Sequence, residues 1–513
     1  MRHLFARAPI EDLASDEPGH GGKALQRVLG KWHLTALGVG AIIGAGIFAS
    51  TGSAIAGGND HIGAGPAIVI SFLITAIACG FAALCYAEFA AMVPVAGSAY
   101  TYAYAALGEV VAWIIGWDLI IEYAIGNVAV AVSWSGYFDA LLRMAGVNLP
   151  SWLVTDYRSA TKAAASIAAG EGTPALEHVA HALEDAPRIA GMPLIFNLPA
   201  LLIVAAITVL LVRGVKESAG SNAIMVVLKL GIVLVFVVIG LMYVNPSNYT
   251  AHGGFAPNGF KGISTAAAII FFAYIGFDAV STAAEEAKDP KRDMPFGIIA
   301  SLLICTVLYI LVALVLTGIA PWNQVGTAEP MLTALELAGG KGFLLGFARV
   351  AVGVGAVIAM TSVLLVFQLG QPRIFFSMAR DGLLPQWAAK VHPKYQTPHV
   401  TTILTGVIVG VCSTFINIDE AVELTNVGTL FAFVLVAGGI LVLRWKEPNR
   451  ARPFRAPWSP VTPILAIVSC VYLMLQLPVV TWIRFFVWLA IGVVFYFAYG
   501  YRHSRVRARL KGG

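Results

Sequence analysis

Four glycines crowd one apolar run, Gly38-Val-Gly-Ala-Ile-Ile-Gly-Ala-Gly-Ile-Phe48. Each glycine inside a helix costs about 1 kcal/mol relative to alanine, so this run is where a helix opens. An opened helix at membrane depth exposes backbone groups that lipid cannot satisfy; they must line a cavity or meet a ligand. A second interruption falls at Gly276 and Asp278, in Phe271-Phe-Ala-Tyr-Ile-Gly-Phe-Asp278. The chemistry of two such breaks is that of a zwitterion cradle. The N–H groups of Gly44, Ala45 and Gly46, heading a half-helix, favour a carboxylate through hydrogen bonds and the helix dipole. The carbonyls of Ile42, Phe272, Ala273 and Ile275 would accept from an ammonium. Together they would suit a ligand that presents both an anion and an ammonium, leaving the rest of that ligand to the rest of the pocket. Glycines also serve close helix packing, and Gly40 and Gly44 have the small-xxx-small spacing; the matching break in the second segment favours the site reading.

Ionisable residues inside apolar segments are the next signal. Lys229, in Met225-Val-Val-Leu-Lys-Leu-Gly231, lies about ten residues, or roughly 15 Å, from the nearer end of its segment. That depth is a long reach for a snorkelling lysine, and an intramembrane lysine is by default a functional residue. A lysine held out of water can exchange its proton during a cycle. Glu122 lies in mid-segment with Asp118 one turn earlier on the same face. It is expected either to face the pocket or to serve as a structural carboxylate. Asp278 is a further pocket acid, and Met360 a further candidate for the side-chain pocket. Glu88, Glu285 and Glu286 are expected to pair with Lys288, Lys291 or Arg292, and His33, His61 and His392 to be solvated.

The elements that position these residues follow from composition. The chain of 513 residues is 58% hydrophobic and 12% charged, with a formal net charge of +5, and its mean hydropathy is +0.80. Soluble domains carry about 25% charged residues, so lipid is the solvent here. Segments of about 20 apolar residues cross a bilayer, and twelve are predicted: 33–56, 65–92, 108–144, 194–212, 220–243, 262–284, 295–320, 342–379, 398–415, 423–444, 460–480 and 483–501. Arg213, Lys216, Lys288, Lys291, Arg292, Arg380, Lys390, Lys394, Arg444, Lys446, Arg450, Arg452 and Arg455, and the tail with Arg502, Arg505, Arg507, Arg509 and Lys511, then lie on one side. The positive-inside rule makes that side cytoplasmic, with both termini. Residues 145–193 form an insertion on the opposite side, with a small-residue stretch at 163–170 and an amphipathic helix at 173–185. The basic tail reads as a positive-inside flank. The first 32 residues lack the apolar stretch of a signal peptide.

The two interruptions lie five segments apart, in helices of opposite direction, which marks an inverted repeat. The fold class is an all-α polytopic membrane protein: a tail at 1–32, a core at 33–450 with repeats 33–244 and 262–445, two peripheral helices at 451–501 and a tail at 502–513. The five cysteines lie in apolar segments without metal or disulfide spacing. No phosphate loop, metal-ligand spacing or nucleophile elbow occurs, so the sequence predicts no cofactor, no metal, no nucleic-acid partner and no enzymatic centre.

The run 38–48 with Ser53, Tyr86-Ala-Glu-Phe-Ala90 with Pro94-Val-Ala-Gly-Ser-Ala-Tyr100, and 271–295 resemble the amino acid–polyamine–organocation superfamily. Trp117-Asp-Leu-Ile-Ile-Glu-Tyr123 and Ser377-Met-Ala-Arg-Asp-Gly-Leu-Leu-Pro385 are similar to signatures of its cationic amino acid transporter branch. The resemblance runs in order over 29–501. It implies the leucine-transporter fold, with two inverted five-helix repeats, discontinuous first and sixth spans and two extra helices. It also implies alternating-access transport of amino acids and the same substrate contacts. In sodium-coupled relatives a cation bridges the opened first span and the eighth near the position of Lys229; the resemblance thus implies that the lysine bonds carbonyls between Gly40 and Ile43, with Thr361 or Ser362 as further acceptors, replaces sodium and couples transport to protons. The expected function is proton-driven symport of L-amino acids across the plasma membrane. The alternative is an exchanger, or a carrier selective for cationic amino acids or polyamines.

Overall fold

The computed structural model describes residues 28–58, 61–93, 98–168, 174–189, 191–214, 219–339, 342–395 and 397–507. Residues 1–27 and 508–513 of the two tails, Pro94–Gly97 (94–97) of the second motif, and Lys216 lie outside them, as does the side chain of Glu285.

The first predicted span is two helices, α1 (Lys31–Ile42) and α2 (Thr51–Ala56), joined through a wide π-helical turn at Gly46–Ser50. The two halves meet at 41°. There follow α3 (Ile68–Met92), the short α4 (Ser98–Ala106), α5 (Glu109–Met144), the insertion helices α6 (Tyr157–Ala168), α7 (Pro174–Ala180) and α8 (Ala182–Asp185), then α9 (Leu198–Arg213) and α10 (Ala219–Leu241). The second half holds α11 (Gly259–Ile270), α12 (Pro290–Ile319), α13 (Pro330–Leu337), α14 (Phe343–Arg380), α15 (His399–Phe415), α16 (Ile418–Lys446), α17 (Val461–Leu475) and α18 (Val479–Phe495). Among the described residues seven helices are long and apolar enough to cross a bilayer, the bent pair makes an eighth, and four apolar helices are shorter. Each predicted segment overlaps one of these, and 262–284 runs on past its helix through a 3₁₀ stretch.

The insertion is more ordered than its composition foretells. Its helices and a two-stranded hairpin, Arg188–Ile189 with Met192–Pro193, enclose a small core of Ala160, Ala182, Ala186 and Ile195. We call this side of the molecule the insertion face and the other the tail face.

On the tail face the acids find partners far away in sequence. Glu88, fully buried near the end of α3, accepts from Arg444 Nε at 3.0 Å and from Arg444 Nη2, and also from the Ala456 N–H at 2.8 Å, with Arg452 Nε at 3.5 Å. The expected pairing with Lys288, Lys291 or Arg292 is thereby corrected: α16, not the segment after the sixth span, delivers the cation. Removing one member of a buried ion pair leaves the other charge unmatched and costs about 3–5 kcal/mol. E88A is therefore expected to lower the denaturation temperature of the detergent-solubilised protein, read by thermal aggregation, far more than E447A, whose side chain is 36% exposed.

The basic tail is likewise more than a flank. Glu109, fully buried at the head of α5, accepts from Tyr496 at 2.8 Å and from Ser504, and Arg507 Nε stands 3.0 Å from the same carboxylate. Arg505 N donates to the Asp381 carbonyl, so the tail is stapled across the ends of α5 and α14. A charged side chain as buried as Arg507 is held by such pairing rather than by solvent.

Candidate functional site

The helical ladder of α1 ends at Ile42. Ile43 is extended (ψ 102°) and Ala45 returns to helical angles. A helix restarted there leaves the N–H groups of its first turn, Gly44, Ala45 and Gly46, without carbonyls one turn earlier in helical register. The sequence places the break correctly but distributes the glycines' roles too evenly. Gly38 lies within intact helix, where an added Cβ would meet Ser301 Oγ at 2.5 Å. That glycine serves packing of α1 on α12.

The second break is built differently. After α11 the chain tightens into a 3₁₀ turn at Phe271–Tyr274, extends at Ile275 (ψ 135°), and turns at Gly276 with φ +116°. It resumes as 3₁₀ turns over Asp278–Glu286. Only glycine takes that φ without strain. The two breaks lie against each other, backbone to backbone. A Cβ on Gly46 would sit 2.2 Å from Ala273 Cα, and one on Gly276 would sit 2.8 Å from the Ala41 carbonyl oxygen.

Side chains from neighbouring helices take part of the exposed backbone, and sequence reasoning missed them. Tyr309 of α12 donates to the Ile42 carbonyl at 3.0 Å, and Tyr137 of α5 donates to the Phe48 carbonyl at 2.6 Å. Asn426 Nδ2 donates to the carbonyls of Ala268 and Ile269 just before the second break. A carbonyl has two lone pairs, so Ile42 retains one beyond Tyr309. Tyrosines in apolar helices look like ordinary core residues, and nothing in their spacing sets these apart.

Lys229 is buried and its Nζ donates to the Gly40 carbonyl at 2.6 Å. This is its one hydrogen bond among the described residues. The expected help from α14 does not arise in this conformation. Thr361 accepts from Trp134 Nε1 and donates to the Val357 carbonyl, while Ser362 donates to the Ala359 carbonyl. Both hydroxyls serve their own helix, as serine and threonine commonly do inside helices.

Glu122 and Asp278 do converge. With Tyr123, Ala41, Ile275, Gly276, Val363, Val366 and Phe367 they line a cavity of about 20 Å³ beside the crossed breaks. That space is large enough for a water but not for an amino acid. Glu122 Oε2 has no hydrogen-bond partner among the described residues, and neither has either oxygen of the fully buried Asp118. A Cβ on Gly428 of α16 would lie 2.9 Å from Asp118 Oδ1. Met360 is fully buried and is not among the residues lining the cavity. His61, expected in solvent, has its Nε2 3.1 Å from Ser53 Oγ. Among the described residues no cluster of His, Cys, Asp or Glu could hold a metal ion.

Comparison with known proteins agrees with this architecture. The profile described as amino acid permease matches residues 29–497. The branched-chain amino acid permease BcaP of Bacillus subtilis is 45% identical over 505 residues, covering 98% of this chain and 99% of its own length. The methylthioribose transporter of the same bacterium is 43% identical over the same shares of the two chains. The mouse cationic amino acid transporter 4 is 30% identical, covering 95% of this chain and 89% of its own.

Proposed function

Because the chain belongs to the amino acid permease family, a family of carriers rather than enzymes, we propose that it moves L-amino acids across the plasma membrane by alternating access, in symport with protons. The reading takes twelve spans in the leucine-transporter arrangement, repeats at 33–244 and 262–445, and two peripheral helices within 451–501. Both termini are cytoplasmic, and the insertion face is outside. The substrate's carboxylate is held by the N–H groups of Gly44, Ala45 and Gly46. Its ammonium is held by the carbonyls of Ile42, Phe272, Ala273 and Ile275. Lys229 supplies a fixed cation at the opened first span and trades its proton as the span moves.

The observation that carries this is the Lys229 bond to Gly40, one turn before the break. It ties an ionisable group directly to the backbone that must rearrange. The apolar cavity wall of Val363, Val366, Ile275 and Phe367 favours neutral aliphatic side chains. A second reading, exchange or carriage of cationic amino acids, draws on the unpartnered Oε2 of Glu122 beside Asp278.

Uptake of labelled alanine, leucine and arginine into proteoliposomes, under imposed pH or sodium gradients, tests both. Alanine or leucine uptake driven by acid outside and indifferent to sodium is the expected result. Arginine uptake that needs internal amino acid would favour the second reading, and no uptake under any gradient would refute both.

A further inference from the structure

A second charged cluster lies on the insertion face, away from the crossed breaks. There α13 and the loop before it cover the outer half of the first span. A Cβ on Gly52 would meet the Val325 carbonyl oxygen at 2.5 Å and Pro330 Cβ at 2.9 Å. The Tyr137 hydroxyl that donates to Phe48 also takes a backbone hydrogen bond from Met331. Residues 330–335 of α13 are buried. This cover is fastened to α5 by charge. Arg143 Nη2 lies 3.2 Å from Glu329 Oε1, and Arg143 Nε lies 3.0 Å from Asp139 Oδ2 one turn back on its own helix. Glu329 and Asp139 are both buried. A Cβ on Gly136 would crowd Ala328 Cβ at 2.9 Å and Glu329 Oε2 at 3.2 Å, so the cover sits directly on α5.

We propose that Glu329 and Arg143 are the latch of an outer gate, and that protonation of Glu329 from outside releases α13 and admits substrate. The proposal rests on the alternating-access reading above and adds the residues that hold the outer door.

An arginine shared by two carboxylates can lose one and keep the other. Asp139 is on the same helix as Arg143 and stays with it, whereas Glu329 belongs to the moving cover. Burial pushes the Glu329 carboxyl up to about 7, with Arg143 opposing the rise and Asp139 and Glu336 adding to it. Above that pH Glu329 is an anion and grips Arg143; below it the acid is neutral and the grip is reduced to an ordinary hydrogen bond. From about pH 8 to about pH 6 the ionised fraction falls about tenfold for a group titrating midway. Among the described residues His178 of α7 also borders the cluster, with its Nε2 3.4 Å from Asp139 Oδ2, so it meets α5 at Asp139 and not at the Glu329 contact. Acid outside therefore opens the outer door and also supplies the proton for transport.

Two measurements on the full-length protein test the latch. Hydrogen exchange of residues 325–337, corrected for intrinsic rates, is expected to be about tenfold faster at about pH 6 than at about pH 8 in the wild type, following the neutral fraction of Glu329. E329Q should be fast at both, and E329D should keep the wild-type dependence. In proteoliposomes with internal pH fixed and substrate equal on both sides, tracer exchange by the wild type should rise as the outer face is acidified, and E329Q should flatten that rise. Equal protection of 325–337 in the wild type at the two pH values would overturn the proposal, as would an E329Q variant that keeps the wild-type pH ratio. Should the wild type carry no amino acid while these amides still respond to pH and to E329Q, the transport reading fails and the latch stands.

Discussion

Acid-driven uptake should collapse in K229A while the folded protein survives. A charge-assisted hydrogen bond contributes about 1.5–3 kcal/mol, which converts to about 10- to 100-fold in rate if it acts at one step of the cycle. The Gly40 carbonyl that Lys229 holds would face an unfilled volume, and the first span would lose the cation bonded one turn before its break. Uptake of alanine or leucine under an acid-outside gradient is the readout, with tracer exchange at equal pH as the control. Exchange should persist at a reduced level, because the cradle proposed above, at 44–46 and 272–275, does not include the lysine. A variant that keeps full acid stimulation would sink the coupling role. K229R is expected to fail with K229A in coupling, since a guanidinium keeps its proton.

The second large effect concerns the crossing itself. G46A should abolish transport, because its methyl would meet the Ala273 backbone, which has nowhere to go. Overpacking of this kind costs about 1–3 kcal/mol and more where backbone must move. G44A provides the contrast. Its methyl would meet only Val363 Cγ2 at 2.8 Å, the end of a side chain that can rotate away. Uptake rates of the two variants at matched reconstitution, with thermal stability in detergent measured alongside, separate them. G46A should lose activity and stability together, and G44A should keep most of its stability. Equal stability of the two would mean that the breaks do not touch as described.

How much of this was legible from residues alone depends on whether the signal is local. The length of each apolar segment, the break after Ile42 and the turn at Gly276 follow from the sequence, because the cost of a glycine or a positive φ is set within a few residues. Lys229 was legible for the same reason: a charge amid an apolar helix needs an explanation whatever surrounds it. Its chosen acceptor was partly legible, since Gly40 falls within the expected stretch, but the silence of Thr361 and Ser362 was not. Both hydroxyls donate within α14 and Thr361 also accepts from Trp134 of α5, which depends on helix register and on the packing of α5 against α14.

The rest belongs to tertiary structure. Glu88 finds Arg444 across 356 positions of sequence, and Glu109 finds Ser504 across 395. Charge complementarity has no memory of sequence distance, and Glu88 had several basic candidates of equal merit. Tyr309 and Tyr137 cap carbonyls of the first span because α12 and α5 present those faces to it, and rotating either helix would send the hydroxyls elsewhere. The cover over the first span and its Arg143–Glu329 tie arise from the same cause. Sequence thus decided where the backbone must open and which residues are costly in lipid, both being properties of a residue and its immediate neighbours. Packing decided which groups meet those openings and what holds them shut, because that depends on which faces of distant helices come together.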